Sequence, residues 1–289
     1  MRYEGSIYRP PSEADSLIIQ ATIGCSHNRC LFCTLYKDKR FRVRPLAEIL
    51  EDLHQARQRM GPAIRRIFLA DGDALIMKTP DLLTLAREAK ALFPGLQRLS
   101  LYGSPQSILL KSPRELADLK AAGYGLVYLG IESGSDAVLA AMHKGVDAAQ
   151  MVEAGLRVRE AGMGLSAMLI LGLGGRALSE DHARQSARVV RAIGPEYLSL
   201  LTLMIEPGSP LALRRQEGTF AEPNPAEALQ ELRTLLEGLE GVRTVLRSNH
   251  ASNYVSLSGQ LPQDRERILA EIDRCLNAPS LRVSTSRRL

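Results

Sequence analysis

Apolar residues along this chain come in short runs that alternate with stretches of helical spacing. SLIIQAT (16–22), RRIFLA (65–70), RLSLYG (98–103), LVYLGIE (126–132), LSAMLILGLGG (165–175) and YLSLLTLM (197–204) have strand length and end in glycine or polar turns. Between them, Pro45 opens a helix with Leu46, Ile49, Leu50 and Leu53 on one face, and Gly61 closes it. Thr79-Pro80 starts a second helix that ends near Pro94-Gly95. Ser112-Pro113-Arg114-Glu115 reads as the capping box of a third, stopped by Gly123. Helical sequence follows Ser135-Asp136 to about residue 161, and again over 178–192.

Six strand–loop–helix units predict a parallel α/β architecture. The strands are near-continuously apolar, as a sheet covered on both faces requires. Six units leave an eight-stranded barrel incomplete, so the expectation is an open, partial (β/α)6 barrel over residues 16–206, preceded by an N-terminal arm, 1–15. After Pro207-Gly208 the character changes. A helix near 225–238, a short strand RTVLRS (243–248) and a helix near 262–276 predict a small, mainly helical C-terminal cap over the barrel mouth, spanning 207–289, with RVSTSRRL as a loose tail. In parallel α/β folds the chemistry sits at the carboxyl ends of the strands. The cysteines, Asp71-Gly72-Asp73, GIESGSD and GLGG all fall at such ends and are expected to converge.

Composition narrows the class. Hydrophobic residues make up 45% and charged residues 24%, as in soluble globular proteins. No run approaches the roughly 18 apolar residues of a membrane span, and MRYEGSIYRPPSEAD lacks the apolar stretch of a signal peptide, so a cytoplasmic protein is expected. The formal charge is +5, much of it in Lys37, Lys39, Arg40, Arg42 and Arg44. These cations predict either a solvated loop or an anionic ligand nearby. Five Phe, eight Tyr and no Trp leave little aromatic surface for stacking bases, so nucleic acid is not the favoured partner.

Three of the four cysteines, Cys25, Cys30 and Cys33, stand as C-x4-C-x2-C directly after the first apolar run. Cys275 is distant, so there is no disulfide framework, and clustered thiols in a reducing compartment point to a metal. Structural zinc wants four ligands, usually from two knuckles. His27 could nominally be the fourth, but it lies inside the same tight loop. That alternative is a non-catalytic, zinc-stabilised binding protein. A [4Fe–4S] cube takes one thiolate per iron, and three thiols leave one iron open to substrate or cofactor.

On these residues the sequence resembles the radical S-adenosylmethionine (radical SAM) superfamily, over residues 16 to about 210. The usual spacing there is C-x3-C-x2-C, one residue shorter than here. The resemblance implies a [4Fe–4S] cluster held by Cys25, Cys30 and Cys33. S-adenosylmethionine would chelate the fourth iron and be cleaved reductively to a 5′-deoxyadenosyl radical. Phe32 matches the aromatic position beside the adenine. Asp73 stands where a Glu takes the methionine amine, and Glu132 where the ribose hydroxyls or methionine carboxylate are contacted. Ile170, Leu171, Gly172 and Gly174 resemble the motif along which adenine lies, and Ser104 and Gln106 are possible cofactor contacts. VYLGIESGSDAVLAAMHKG and LTLMIEPGSPL are similar to the branch of oxygen-independent coproporphyrinogen oxidase and the elongator-type acetyltransferase. An electron donor such as flavodoxin or ferredoxin is implied, with a small-molecule substrate favoured over an RNA to be modified. The polar stretch 247–254 offers Asn249, His250 and Tyr254 as candidates for orienting substrate or moving protons. His54, His143 and His182 lie on helical sequence and are expected at the surface.

Overall fold

The computed structural model describes residues 1–278, and the tail expected at RVSTSRRL lies outside them. The chain divides into two compact units. One comprises Met1–Asn28, Leu35–Leu129 and Ala154–Leu165; the other comprises Arg29–Thr34, Gly130–Glu153 and the chain from Ser166 onward.

In the first unit β1 (Leu17–Gln20) leads to a pair of two-residue strands, β2 (Thr22–Ile23) and β3 (Arg42–Val43). Then come α1 (Leu46–Met60), β4 (Arg66–Ala70), α2 (Thr79–Leu92), β5 (Arg98–Tyr102), α3 (Pro105–Leu109), α4 (Pro113–Ala122) and β6 (Tyr124–Glu132), whose last three residues fall in the second unit. β1, β4, β5 and β6 pair in that order, all parallel, with Ile19 opposite Leu69, Phe68 opposite Ser100 and Leu101 opposite Val127. Ile67 to Ala70 are completely buried, which is why this strand reads as an unbroken apolar run. The expected helix ends are found. Gly61 and Gly123 take positive φ (72° and 108°), and the Ser112–Glu115 capping box is formed.

The second unit contains α5 (Asp136–Ala141), α6 (Ala148–Glu160) and β7 (Gly164–Leu171), with the end of α6 and the start of β7 counted in the first. It continues through α7 (Ser179–Ile193), β8 (Tyr197–Thr202), α8 (Pro210–Gln216), α9 (Pro225–Glu237), β9 (Thr244–Ser248), β10 (Leu257–Leu261) and α10 (Arg265–Leu276). β7, β8 and β9 are parallel, and β10 returns antiparallel to β9. The helix expected to run to 161 is two helices, because His143 and Gly145 adopt positive φ (56° and 77°) between them. β10 escapes the apolar-run criterion because its burial alternates and its centre is Ser-Gly-Gln. The C-terminal segment therefore adds two strands, one of which extends the parallel set through β8. Among the described residues no helix is long and apolar enough to cross a membrane.

Candidate functional site

The cysteine loop starts and ends on one small hairpin: Thr22 pairs with Val43 and Ile23 with Arg42. Its root is fixed by the turn after β4. Asp71 is completely buried, and its Oδ2 accepts from the Gly24 amide (3.0 Å), Gln20 Nε2 (3.0 Å) and Lys39 Nζ (2.9 Å). Oδ1 of the same carboxylate is buried with no hydrogen-bond partner. The Gly72 amide donates to the Gly24 carbonyl (3.1 Å). A Cβ on Gly72 would lie 2.7 Å from the Tyr36 ring and 3.0 Å from Cys25 Cβ, so only glycine lets this turn lie against the first thiol.

Asp73 is also completely buried, so it is not part of a solvated surface turn. Its Oδ1 accepts from the Ser104 amide (3.0 Å) and Ser107 Oγ (2.7 Å), and its Oδ2 from Ser104 Oγ (2.8 Å) and Ser26 Oγ. Ser104 in turn caps α3. One carboxylate thus ties the residue after Cys25 to the ends of β4 and β5, and brings Asp73 and Ser104 together. Gln106 is half-buried on α3.

The basic loop is largely neutralised within its own unit. Lys39 is buried against Asp71, Arg44 is buried against Asp52 (2.9 Å) and the Gln20 carbonyl, and Arg42 pairs with Glu4 (2.6 Å). Three of the five cations named from the sequence have carboxylate partners, so the anionic ligand loses most of its motive.

Cys30, Phe32 and Cys33 belong to the second unit, while Cys25 belongs to the first. All three thiols are half-buried, none of the four cysteines is in a disulfide, and Cys275 lies on α10. Among the described residues no three His, Cys, Asp or Glu side chains form a ready group for a metal ion. The Leu31 amide donates to the Met142 carbonyl (3.1 Å). Leu31 joins a buried apolar cluster with Val138, Met142, Leu173, Leu203 and Leu211, against which Phe32 and Ile170 both pack. The two residues expected beside adenine therefore share one apolar patch. Glu132 has positive φ (65°) and pairs with Lys144 at 3.2 Å.

The glycine turn after β7 is held from the helix side. The Gly172 amide, at φ 82°, donates to Glu231 Oε1 (2.6 Å), and Ser179 Oγ donates to Glu231 Oε2. His182, expected at the surface, is buried: Gly174 and Gly134 lack the side chains that would push α7 away. A Cβ on Gly174 would stand 3.2 Å from the His182 Cβ, and one on Gly134 would run into the backbone of Gln185 and Ser186. His182 Nε2 lies 3.1 Å from the Ile170 carbonyl and Nδ1 lies 2.8 Å from Ser133 Oγ. Burial pushes its pKa down to about 4. The ring is then neutral near pH 7; the carbonyl partner puts its proton on Nε2, and Ser133 donates to Nδ1. Burial also raises Glu231 to about 7, against the pull of Ser179 and Gly172. The 3.5 Å His182–Glu231 contact is consequently no ion pair. His54 pairs with Glu88 (2.9 Å), and His54 and His143 are exposed as expected.

In the stretch after β9, Asn249 is exposed and His250 half-buried, its Nδ1 accepting from the Ser252 amide (3.1 Å) and standing 2.9 Å from Ser252 Oγ. Burial lowers the His250 pKa. Asn253, which sequence reasoning passed over, anchors this stretch: it bonds Thr202 Oγ1, the Leu200 carbonyl and Ser248 Oγ. It lines a narrow crevice with Tyr254, Leu171, Thr202 and Leu232.

Thiolates are the donors an iron–sulfur cluster takes, and Cys25, Cys30 and Cys33 supply that chemistry from one irregular loop, with a glycine cradle beside Cys25. The family model described as Radical SAM superfamily matches residues 19–187. The heme chaperone HemW of Mycobacterium tuberculosis is 28% identical over 170 residues, covering 56% of this chain and 41% of HemW. The tRNA-2-methylthio-N(6)-dimethylallyladenosine synthase of Chloroflexus aurantiacus is 27% identical over 229 residues, covering 78% and 48%. The chain thus spans less than half the length of these relatives. Coproporphyrinogen III oxidase (HemN) from Escherichia coli superposes with a TM-score of 0.61 at 19% identity, covering 78% of this chain and 52% of HemN. That likeness shows the fold, an α/β partial barrel.

Proposed function

Because the chain belongs to the radical SAM superfamily, whose members are enzymes using a [4Fe–4S] cluster and S-adenosylmethionine, we propose that Cys25, Cys30 and Cys33 hold the cluster and that the protein cleaves S-adenosylmethionine reductively. The chemistry supplied by the bound pair is a one-electron split of the sulfonium, giving methionine and a 5′-deoxyadenosyl radical for hydrogen abstraction. The chain's own work is placement. Asp71 and Gly72 fix the root of the loop at Cys25, Asp73 and Ser104 shape the polar end of β4 and β5, and Phe32 and Ile170 offer an apolar face to the adenine. Glu132 and the turn through Gly172 and Gly174 complete the cofactor contacts, and Asn249, His250 and Tyr254 face the substrate. The observation that carries the reading is Gly72 lying against Cys25: the turn that would take the methionine amine packs on the residue that would supply the first thiolate.

The substrate is a small molecule in this reading, and the electron comes from a flavodoxin- or ferredoxin-like donor. The loop cations already occupied by Asp71, Asp52 and Glu4 support that choice over RNA. RNA is the second reading, favoured by the likeness to the tRNA-modifying enzyme. Anaerobic loading with iron and sulfide should give a brown protein with a broad thiolate-to-iron band, and reductant should release methionine and 5′-deoxyadenosine. Replacing any one of the three cysteines with Ala should abolish both. A colourless protein that binds one zinc tightly would overturn the reading.

A further inference from the structure

The turn after β7 is gripped at two successive backbone groups by side chains from two different helices. On one side of Leu171, the Ile170 carbonyl accepts from His182 Nε2 on α7 (3.1 Å). On the other, the Gly172 amide donates to Glu231 on α9 (2.6 Å). Both side chains are at least 98% buried, so neither grip competes with water. The turn's own bonds are few: the Leu173 amide to the Ile170 carbonyl at 3.3 Å and the Gly175 amide to the Gly172 carbonyl at 3.0 Å. From outside, the Leu203 amide donates to the Leu171 carbonyl (2.8 Å) and the Leu178 amide to the Gly174 carbonyl (3.3 Å), while three glycines within four residues lower the cost of other conformations for the rest. A second buried line reaches the same histidine from the end of β6: the Ser135 amide donates to Ser133 Oγ, and Ser133 Oγ to His182 Nδ1.

We propose that Glu231 and His182 are a positioning pair for the adenosyl part of S-adenosylmethionine, holding the Ile170–Gly174 backbone in the one conformation that the ligand needs. This rests on the reading of that turn as the adenosyl site. The pair touches neither cofactor nor substrate. It acts through Ile170 and Gly172, and His182 passes the same constraint to Ser133, the residue after Glu132. The state of Glu231 matters to the grip, because a carboxylate accepts more strongly from an amide than a carboxylic acid does. With its pKa raised by burial to about 7, Glu231 changes state near neutral pH. Among the described residues, His182 stands 3.5 Å from it and is neutral there, and Asp181, also on α7 and near His182, has its carboxylate engaged by Ser135 Oγ and Gln185. On its own helix, Glu227 is paired with Arg176.

The test uses the full-length, cluster-loaded protein, with S-adenosylmethionine and the unreactive probe 5′-deoxyadenosine as ligands, and follows amide hydrogen exchange in peptides spanning 168–178. E231A should speed exchange across this segment and raise both dissociation constants about tenfold, near 1.4 kcal/mol. KM should rise more than kcat falls. E231Q keeps an acceptor for Gly172 without a titrating group. It should restore slow exchange and affinity to within about twofold, and remove the weakening of binding that wild type shows as pH falls through 7. Unchanged affinity in E231A, or a wild-type pH profile in E231Q, would overturn the pair while leaving the adenosyl site standing. If E231A does not fold, the E231Q profile decides. Folded wild-type protein that takes neither ligand would sink the adenosyl-site reading, and this inference with it.

Discussion

Glu231 and His182 make opposite demands on stability as pH changes, and removing one exposes the other. The folded state holds the Glu231 proton up to about pH 7, whereas an unfolded glutamate releases it near 4.5. Between those values the folded chain binds more protons, so this group's contribution to stability falls as pH rises. His182 runs the other way: the unfolded ring takes a proton below about 6.5 and the buried ring only below about 4, so stability is lost on acidification through that window. Each difference converts to about 3 kcal/mol at 1.36 kcal/mol per pH unit. The side chains are 2% and 0% exposed, so solvent screening does not reduce these figures much. In the overlap, pH 4.5–6.5, the folded pair carries its proton on the glutamate and the unfolded pair on the histidine; the proton counts match and the slopes cancel. In E231Q only the His182 slope survives. The stability of this variant relative to wild type should climb across the overlap, at up to about 1.4 kcal/mol per pH unit in its middle and roughly 2 kcal/mol in all. Urea titrations of both proteins at closely spaced pH values measure the difference, in which every other ionisable group drops out. The reasoning fails if the two proteins' stabilities run parallel from pH 4.5 to 6.5.

Three further outcomes are expected. G72A drives a methyl group into the Tyr36 ring and Cys25 Cβ, and should lose most of its cluster iron by iron analysis while keeping a wild-type far-ultraviolet spectrum. D71N leaves the buried Lys39 ammonium without its carboxylate and should cost about 3 kcal/mol in urea unfolding, as breaking one side of a buried pair does. C275S removes a thiol on α10 outside the cysteine loop and should keep full iron content and S-adenosylmethionine cleavage; loss of iron would make Cys275 a ligand.

The parallel strands were legible because burial on both faces leaves an unmistakable run: IFLA at 67–70 is buried at every position. Helix ends were legible where a residue type has one local role, as at Ser112, Gly61 and Gly123. β10 was not, because a strand of alternating burial built on Ser-Gly-Gln carries no such run. The break between α5 and α6 depends on His143 in a positive-φ conformation, which its type does not announce. Asn253 and Asn249 look alike in the sequence, and only the neighbouring strand end at Leu200–Thr202 decides which one is the anchor.

The site shows the same division between local and non-local information. Cysteine spacing is local, and so is the glycine at 72. Which aspartate does what is not. Asp73 was singled out by its place in the turn, yet Asp71, two residues earlier, binds the loop root, because β1 places Gln20 and the hairpin places Gly24 and Lys39 around it. The same pairing explains why a run of five cations overstated the case for an anionic ligand. Lys39 and Arg44 are buried counter-charges for Asp71 and Asp52, and their partners lie 32 and 8 residues away in sequence. His182 was misplaced for a related reason. Its helix looks polar, with Glu180, Asp181 and Arg184 around it, and the signal for burial sits in two other segments, as the missing side chains of Gly134 and Gly174. Glycines at strand ends in such a chain therefore have two distinct uses. Some open room for a ligand, and others admit a helix close enough to hold the turn from behind. Gly174 is of the second kind. Gly172 is needed for its left-handed φ, since a Cβ there would meet only ordinary contacts at 3.6 Å.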